Sequence, residues 1–434
     1  MNITRLQKLA IVVLMVIFGG IVLHAPLSVG LEVLFPDFSL LIKSWKEILM
    51  VGLVPLVAIS ITKRKMWHEF MHDWLARIIV AYVLLHFVLV GVFYQGAAAT
   101  AAGLAIDLRY ILFFSLVYVT LKMAPMYRHR MLVLGVIGAF IVVGFATLQF
   151  FLPADILTHI GYSQTTITPY LTVDRNPEFI RVNSTLRGPN PVGAYAGMAL
   201  GLLAAALAYQ KLRLRDKRVL AGTIVLGVCS LVALWLSYSR SAWIGALIAM
   251  GCVTAVTVFR KVSRSAWIAT AVVVFALVGG LVAAQDNTFV SNVILHENPQ
   301  GGSALTSNEA HAQSLFDGLT NLVQRPLGAG IGSAGSASLL GGNPTIVESQ
   351  FFMIAHETGW LGLALFLALL SLIMVRLWRG RRDWLHLGVF ASGAGLAFIG
   401  LLLPVWADDT VSIIWWGLAA IALARGSYAR KQTK

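Results

Sequence analysis

Charge is scarce in this 434-residue chain: Asp, Glu, Lys and Arg together make up 12% of it, while 58% is hydrophobic. So little charge excludes a soluble globular domain, which could not hide that much apolar surface. Cysteine is nearly absent. Cys229 and Cys252 both fall inside apolar runs, so no disulfide framework is implied and the redox compartment is left unmarked. Internal repeats and low-complexity tracts are lacking. So is alternation of polarity over roughly ten residues, which argues against a membrane β-barrel. No small-x-small cleavage site follows the first apolar run, so Arg5 and Lys8 precede an uncleaved first helix rather than a signal peptide.

Present instead are continuous apolar stretches of about 17–25 residues, each long enough to cross a bilayer. The fold class is therefore an all-α polytopic membrane protein, a single membrane domain over 1–434. About twelve transmembrane helices are expected, near 9–25, 45–62, 74–94, 104–121, 131–151, 192–209, 219–236, 242–259, 267–284, 349–375, 385–403 and 411–424. Basic clusters mark every second boundary: Arg5/Lys8, Lys63 to Lys65, Lys122/Arg128/Arg130, Lys211 to Arg218, Arg260/Lys261/Arg264, Arg376 to Arg382 and Arg425 to Lys434. The positive-inside rule places these in the cytoplasm, with both termini. The formal charge of +14 is thus a topology signal and does not call for nucleic acid.

Two long loops, 152–191 and 285–348, then face outward. The second holds an amphipathic helix near 308–323, with Thr306 and Glu309 as a capping box. Its face of His311, Leu315, Leu319 and Leu322 should lie on the membrane domain.

Eight basic residues stand apart from the cytoplasmic clusters: Lys43, Lys46, Arg109, Arg175, Arg181, Arg187, Arg240 and Arg325. All are expected at or near the outer face. Arg181 and Arg187 lie in "RVNSTLRGPNPVGAY", before a helix that Asn190 can cap with Pro191 in its first turn. Arg240 occupies the tight hairpin "LSYSRSAW". Permanent cations beside helix N-termini suit phosphate or pyrophosphate; contact with lipid headgroups is the plainer reading. Lys46 and Arg109 have Glu47 and Asp107 close by, so structural ion pairs fit them equally. Asp408 and Asp409 read as loop residues or arginine partners. "GAGIGS" lacks the Lys-Ser/Thr of a phosphate loop, and no sequence-local metal ligand set exists.

Four segments in order resemble the O-antigen ligase and polymerase superfamily: "RVNSTLRGPN", "SYSRSAWIGAL", "RPLGAGIGS" and "ESQFFMIAHETGWLGLALF". The resemblance implies a glycosyltransferase of a bacterial inner membrane. The donor would be a glycan on undecaprenyl diphosphate and the acceptor, for a ligase, lipid A-core, with membrane lipids around both. It implies an active site facing the periplasm and no cofactor or metal, since the donor's own diphosphate link supplies the energy. Arg187 and Arg240, then Arg181 with Asn190, would hold the diphosphate. Many members carry a histidine where this chain has Glu348, so Glu348 and His311 are both candidate bases. A polymerase, a protein O-glycan transferase and a lipid-linked-glycan transporter are the alternatives.

Overall fold

The computed structural model describes residues 4–173, 176–212, 214–258, 287, 290–291, 307–342 and 344–424. For residues 307, 308, 310 and 311 it describes the backbone alone. The expected helix at 267–284 and the basic clusters at 260–264 and 425–434 lie outside the described residues, as do Arg175 and Thr306.

The protein is an all-α polytopic membrane protein, 76% helical. Its spans are α1–α2 (Arg5–Gly20 and His24–Leu34, joined by a tighter turn), α3 (Trp45–Lys63), α4 (Trp74–Val92), α5 (Ala97–Met123) and α6 (Arg128–Gln149). They continue with α7 (Pro189–Ala208), α8 (Lys217–Leu236) and α9 (Arg240–Thr257). After the loop helix α10 (Ser307–Gln324) come α11 (Gln350–Arg379), α12 (Trp384–Leu402) and the shorter α13 (Asp409–Leu423). The expected spans within the described residues are all present, and α10 matches its expected bounds. The first long loop departs from the all-α reading. It carries a two-stranded antiparallel hairpin, β1 (Leu171–Val173) and β2 (Asn176–Arg181), in which Leu171 pairs with Arg181.

Basic clusters converge at one end of the bundle. Arg64 donates to Gln7 Oε1 at 2.7 Å and to the Met123 carbonyl, Arg376 pairs with Asp73, and Tyr209 donates to the Arg381 carbonyl. The opposite end, which carries the long loops, is called the loop end below.

α13 is the axis of the bundle: fourteen of its fifteen residues are buried, with Trp415 and Trp416 fully enclosed and Trp406 packed just before it. Lipid tails are as apolar as leucine, so apolarity alone does not drive helices together in a bilayer; close packing does. Small residues supply it. Gly193, Gly197 and Gly201 recur every four residues along α7 and face Ala242, Ala246 and Ala249 of α9. On α12, Gly395 lies directly on the backbone of Gly245 in α9.

Two expectations about helix ends need correction. α5 begins seven residues before 104, because its first turns are covered by the second long loop. α11 is not one straight helix: Gly359 adopts φ 66°, ψ −167°, and breaks it. Trp360–Arg379 then forms a span of its own, about 30 Å long, and the preceding Gln350–Thr358 segment closes over the loop end.

The glycine-rich turn after α10 explains that break. Gly328, Gly330 and Gly332 all have positive φ. The Ala329 and Gly330 amides donate to the His356 and Glu357 carbonyls at 2.7 and 3.1 Å, and the Ala334 amide donates to Glu357 Oε1 at 3.0 Å. A Cβ on Gly332 would stand 2.2 Å from the Ala99 carbonyl oxygen. The turn is a splice between α5 and α11. Gly332→Ala should therefore lose on the order of 3 kcal/mol, read as a large fall in thermal midpoint in detergent. Gly342→Ala, where a Cβ meets nothing within 4 Å, is the control that should hardly move.

Candidate functional site

Five side chains from distant parts of the chain meet at the loop end of α13. Asp409 begins that helix and is 4% exposed. Around it stand His24 of α2, Lys46 of α3, Arg109 of α5 and Arg187 from the loop before α7. His24 Nε2 lies 2.9 Å from Asp409 Oδ2, Lys46 Nζ also 2.9 Å, and Arg187 Nη2 3.5 Å. Arg109 pairs with Asp409 Oδ1 and donates to the Ala407 carbonyl. Glu47 completes the group, 3.2 Å from Lys46 and 3.7 Å from Arg109.

Each element delivers its residue for a local reason. Asp107 and Arg109 are two residues apart on α5, hence about 200° apart around it, so they serve opposite faces. Arg109 turns to Asp409. Asp107 turns to α4 and α11, where it lies 3.5 Å from His86 and faces Glu357. Trp45 Nε1 donates to His24 Nδ1 at 3.1 Å. That bond makes Nδ1 an acceptor, so Nε2 carries the proton and donates to Asp409.

Charge in this buried group is unequal. Lys46, Arg109 and Arg187 bring three cations against Asp409 and Glu47. Lys46 and Arg109 are 2% and 5% exposed, whereas the Arg187 side chain is 46% exposed. Among the described residues Arg187 thus has one edge on Asp409 and its remaining donors open. The Asp409 charge raises its pKa, against the opposing effect of burial, so it stays a permanent cation.

Asp408 plays a different part. Its carboxylate caps α13 by accepting from the Val411 amide at 2.8 Å. It stands next to the Asp409 charge. Asp408→Asn keeps the cap and removes that like charge, so it should leave the chain folded and raise its thermal midpoint; a lowered midpoint would mean that the Asp408 charge supports the neighbouring cations.

The other residues singled out from sequence fall into two groups. Arg181 donates from Nε to the Ser237 carbonyl at 2.8 Å and from Nη2 to Asn190 Oδ1 at 2.6 Å. It clasps the end of β2 to the α8–α9 hairpin, at whose tip Arg240 opens α9, partly buried. Asn190 is not the cap of α7: Gly188 stands in that position with Pro189 first in the helix, and Asn190 holds Arg181 instead.

Glu348 lies two residues before α11, with Ser349 in the cap position. The Glu348 amide donates to Ser314 Oγ of α10 at 3.3 Å, so α10 lies beside it. The His311 side chain lies outside the described residues. Two residues after Glu348, Gln350 Oε1 accepts from the Trp406 amide at 2.8 Å, and the carbonyl of Ala407, the residue after Trp406, accepts from Arg109. His356 is buried. Lys43 pairs with Glu32 and Arg325 is exposed. Among the described residues no three His, Cys, Asp or Glu side chains converge as metal ligands do.

Residues 225–367 match a family model described as O-antigen ligase, which bears out the resemblance to that superfamily. Members are glycosyltransferase-like membrane enzymes that act on lipid-linked glycans and acceptors. The matched stretch contains Arg240, the glycine-rich turn and Glu348; Arg181, Arg187 and Asp409 lie outside it. No curated protein matches the chain.

Proposed function

We propose that the protein transfers a glycan from undecaprenyl diphosphate to a hydroxyl of lipid A-core, as an O-antigen ligase of a bacterial inner membrane with its loop end in the periplasm. The observation that carries this reading is Arg187: a half-exposed guanidinium fixed on a buried cluster that has more cations than carboxylates. A diphosphate arriving there meets that fork and the N-terminus of α7.

In the reaction the acceptor oxygen attacks the anomeric carbon and the glycosyl–phosphate bond breaks, inverting the centre. The electron pair leaves with the diphosphate. Arginines that bind this growing charge more tightly than the ground state raise the rate. Arg187 is placed for that role, and Arg240 is the second candidate. Arg181 and Asn190 hold the loop that carries Arg187.

The acceptor proton needs a base, and Glu348 and His311 are the candidates. Glu348→Ala and His311→Ala should each lower transfer by roughly tenfold or more, and Glu348→His should retain part of it. The variant that loses the acidic limb of the pH–rate profile identifies the base; unchanged profiles in both assign the role elsewhere.

The deciding experiment is incubation of purified protein in vesicles with lipid-linked glycan and lipid A-core. Transfer that persists in chelator supports the proposal. Chain growth on a second lipid-linked glycan, with lipid A-core untouched, replaces it with a polymerase.

A further inference from the structure

α10 presents three different surfaces around its circumference. Taking each residue as about 100° of turn, Ser314, Leu315, Gly318, Asn321 and Leu322 centre on one sector. That sector packs on α11: Phe352 lies against Gly318, and the Trp360 indole donates to the Leu322 carbonyl at 2.6 Å. A second sector, roughly 60° wide, holds Phe316, Leu319 and Val323, which are 66%, 51% and 66% exposed. The third, on the other flank, holds Gln313, Asp317, Thr320 and Gln324. Its Gln313 and Asp317 side chains are hydrogen-bonded to each other at 2.8 Å. Sequence reasoning gave Leu319 to the packed face; it lies on the exposed apolar flank instead, because Gly318 makes the close contact.

We infer that α10 lies on the bilayer surface at the loop end, with Phe316, Leu319 and Val323 seated in the lipid and the polar flank, about 100° round the helix, in water. Three observations commit the apolar flank to lipid. The Trp360 indole that bonds α10 belongs to the first residue of the Trp360–Arg379 span. Trp360 and Leu361 are themselves 55% and 59% exposed, so the apolar surface of α10 continues that of a lipid-facing helix. Tryptophan at the end of a span marks the level of the headgroups. Finally, the apolar residues run along one flank over seven positions, about 10 Å of helix. A flat apolar–water boundary produces that pattern only if the axis lies in its plane.

The seating has a consequence for the site that does not depend on the glycan-transfer reading. Ser314 of α10 receives the Glu348 amide. The helix thereby fixes the height of Glu348 relative to the headgroups.

The test uses the full chain in phosphatidylcholine vesicles, with Cys229 and Cys252 replaced by alanine. Single cysteines at 316, 319, 323, 313, 317 and 320 carry an environment-sensitive fluorophore, and nitroxide phospholipids serve as quencher. Quenching at 316, 319 and 323 should exceed that at the other three by at least about twofold. Equal quenching at all six overturns the inference. So does shielding from water at the first three without lipid quenching, which would place a second copy or another protein on the flank. The unaltered chain gives an independent reading. Phospholipids with a photoreactive group near the glycerol should label Phe316–Val323, and absence of label there counts against the seating.

Discussion

Arg187→Ala should abolish glycan transfer while leaving the chain inserted and folded. Its guanidinium contributes one edge to the buried cluster and is otherwise open, so removing it costs little packing. On the proposed reaction, what is lost is a fixed positive fork for the charge that gathers on the departing diphosphate. Groups of that kind are worth about 10²–10³ in rate. Arg187→Lys should recover little, because a point charge does not reproduce two parallel donors. The measurement is initial rate in vesicles at saturating acceptor, alongside binding of a non-transferable polyprenyl diphosphate. A near-normal rate for Arg187→Ala would reduce the residue to a headgroup contact.

Asp409→Ala should fail earlier, at folding. Asp409 is the common partner of His24, Lys46, Arg109 and Arg187. Without it, three cations keep Glu47 as their one close carboxylate among the described residues, with Asp408 farther off. Removing one partner of a buried ion network costs about 3–5 kcal/mol. The expected results are a steep loss of thermal midpoint and of recoverable protein. Asp409→Asn is milder in shape but still leaves Arg187 without its charged tether. It should fold better than Asp409→Ala and transfer far more slowly than the wild type. Equal stability of Asp409→Ala and wild type would mean that the cluster is not desolvated as described. Asp408→Asn, one residue away, removes a carboxylate that acts on Arg187 and Arg109 only at longer range, so its effect should be much the smaller.

The spans were legible because each is a local property: a long apolar run between basic clusters. The α10 bounds were legible for the same reason, from periodicity. The break at Gly359 was not. Apolarity continues on both sides of it, and the cause is a backbone contact with the turn at 326–332. The capping position of α7 was misplaced by two residues, since Pro189 and Pro191 both suit a first turn. Arg187 stood out as a cation apart from the basic clusters. Its hub did not, because residues 24, 46, 109, 187 and 409 are dispersed over nearly the whole chain and only packing joins them. His24 was the overlooked signal, a titratable side chain inside the first apolar run. Asp409 was read as a possible arginine partner, which it is, but nothing local distinguished it from Asp408.

The shortness of the axial helix sets a depth. Arg128, in a basic cluster at the end opposite the loops, donates to the Ile421 carbonyl near the end of α13. From there to Asp409 is twelve residues, about 18 Å of helix, in a hydrocarbon layer of about 30 Å. With Ile421 at one boundary and the helix along the membrane normal, Asp409 would sit on the order of 10 Å beneath the far boundary of that layer. A headgroup drawn to the exposed side of Arg187 would then sink below its neighbours, tail still in the bilayer, and leave part of its hydration behind. The thickness of the surrounding membrane would become a variable: a thicker bilayer deepens the site, and a thinner one brings it toward water.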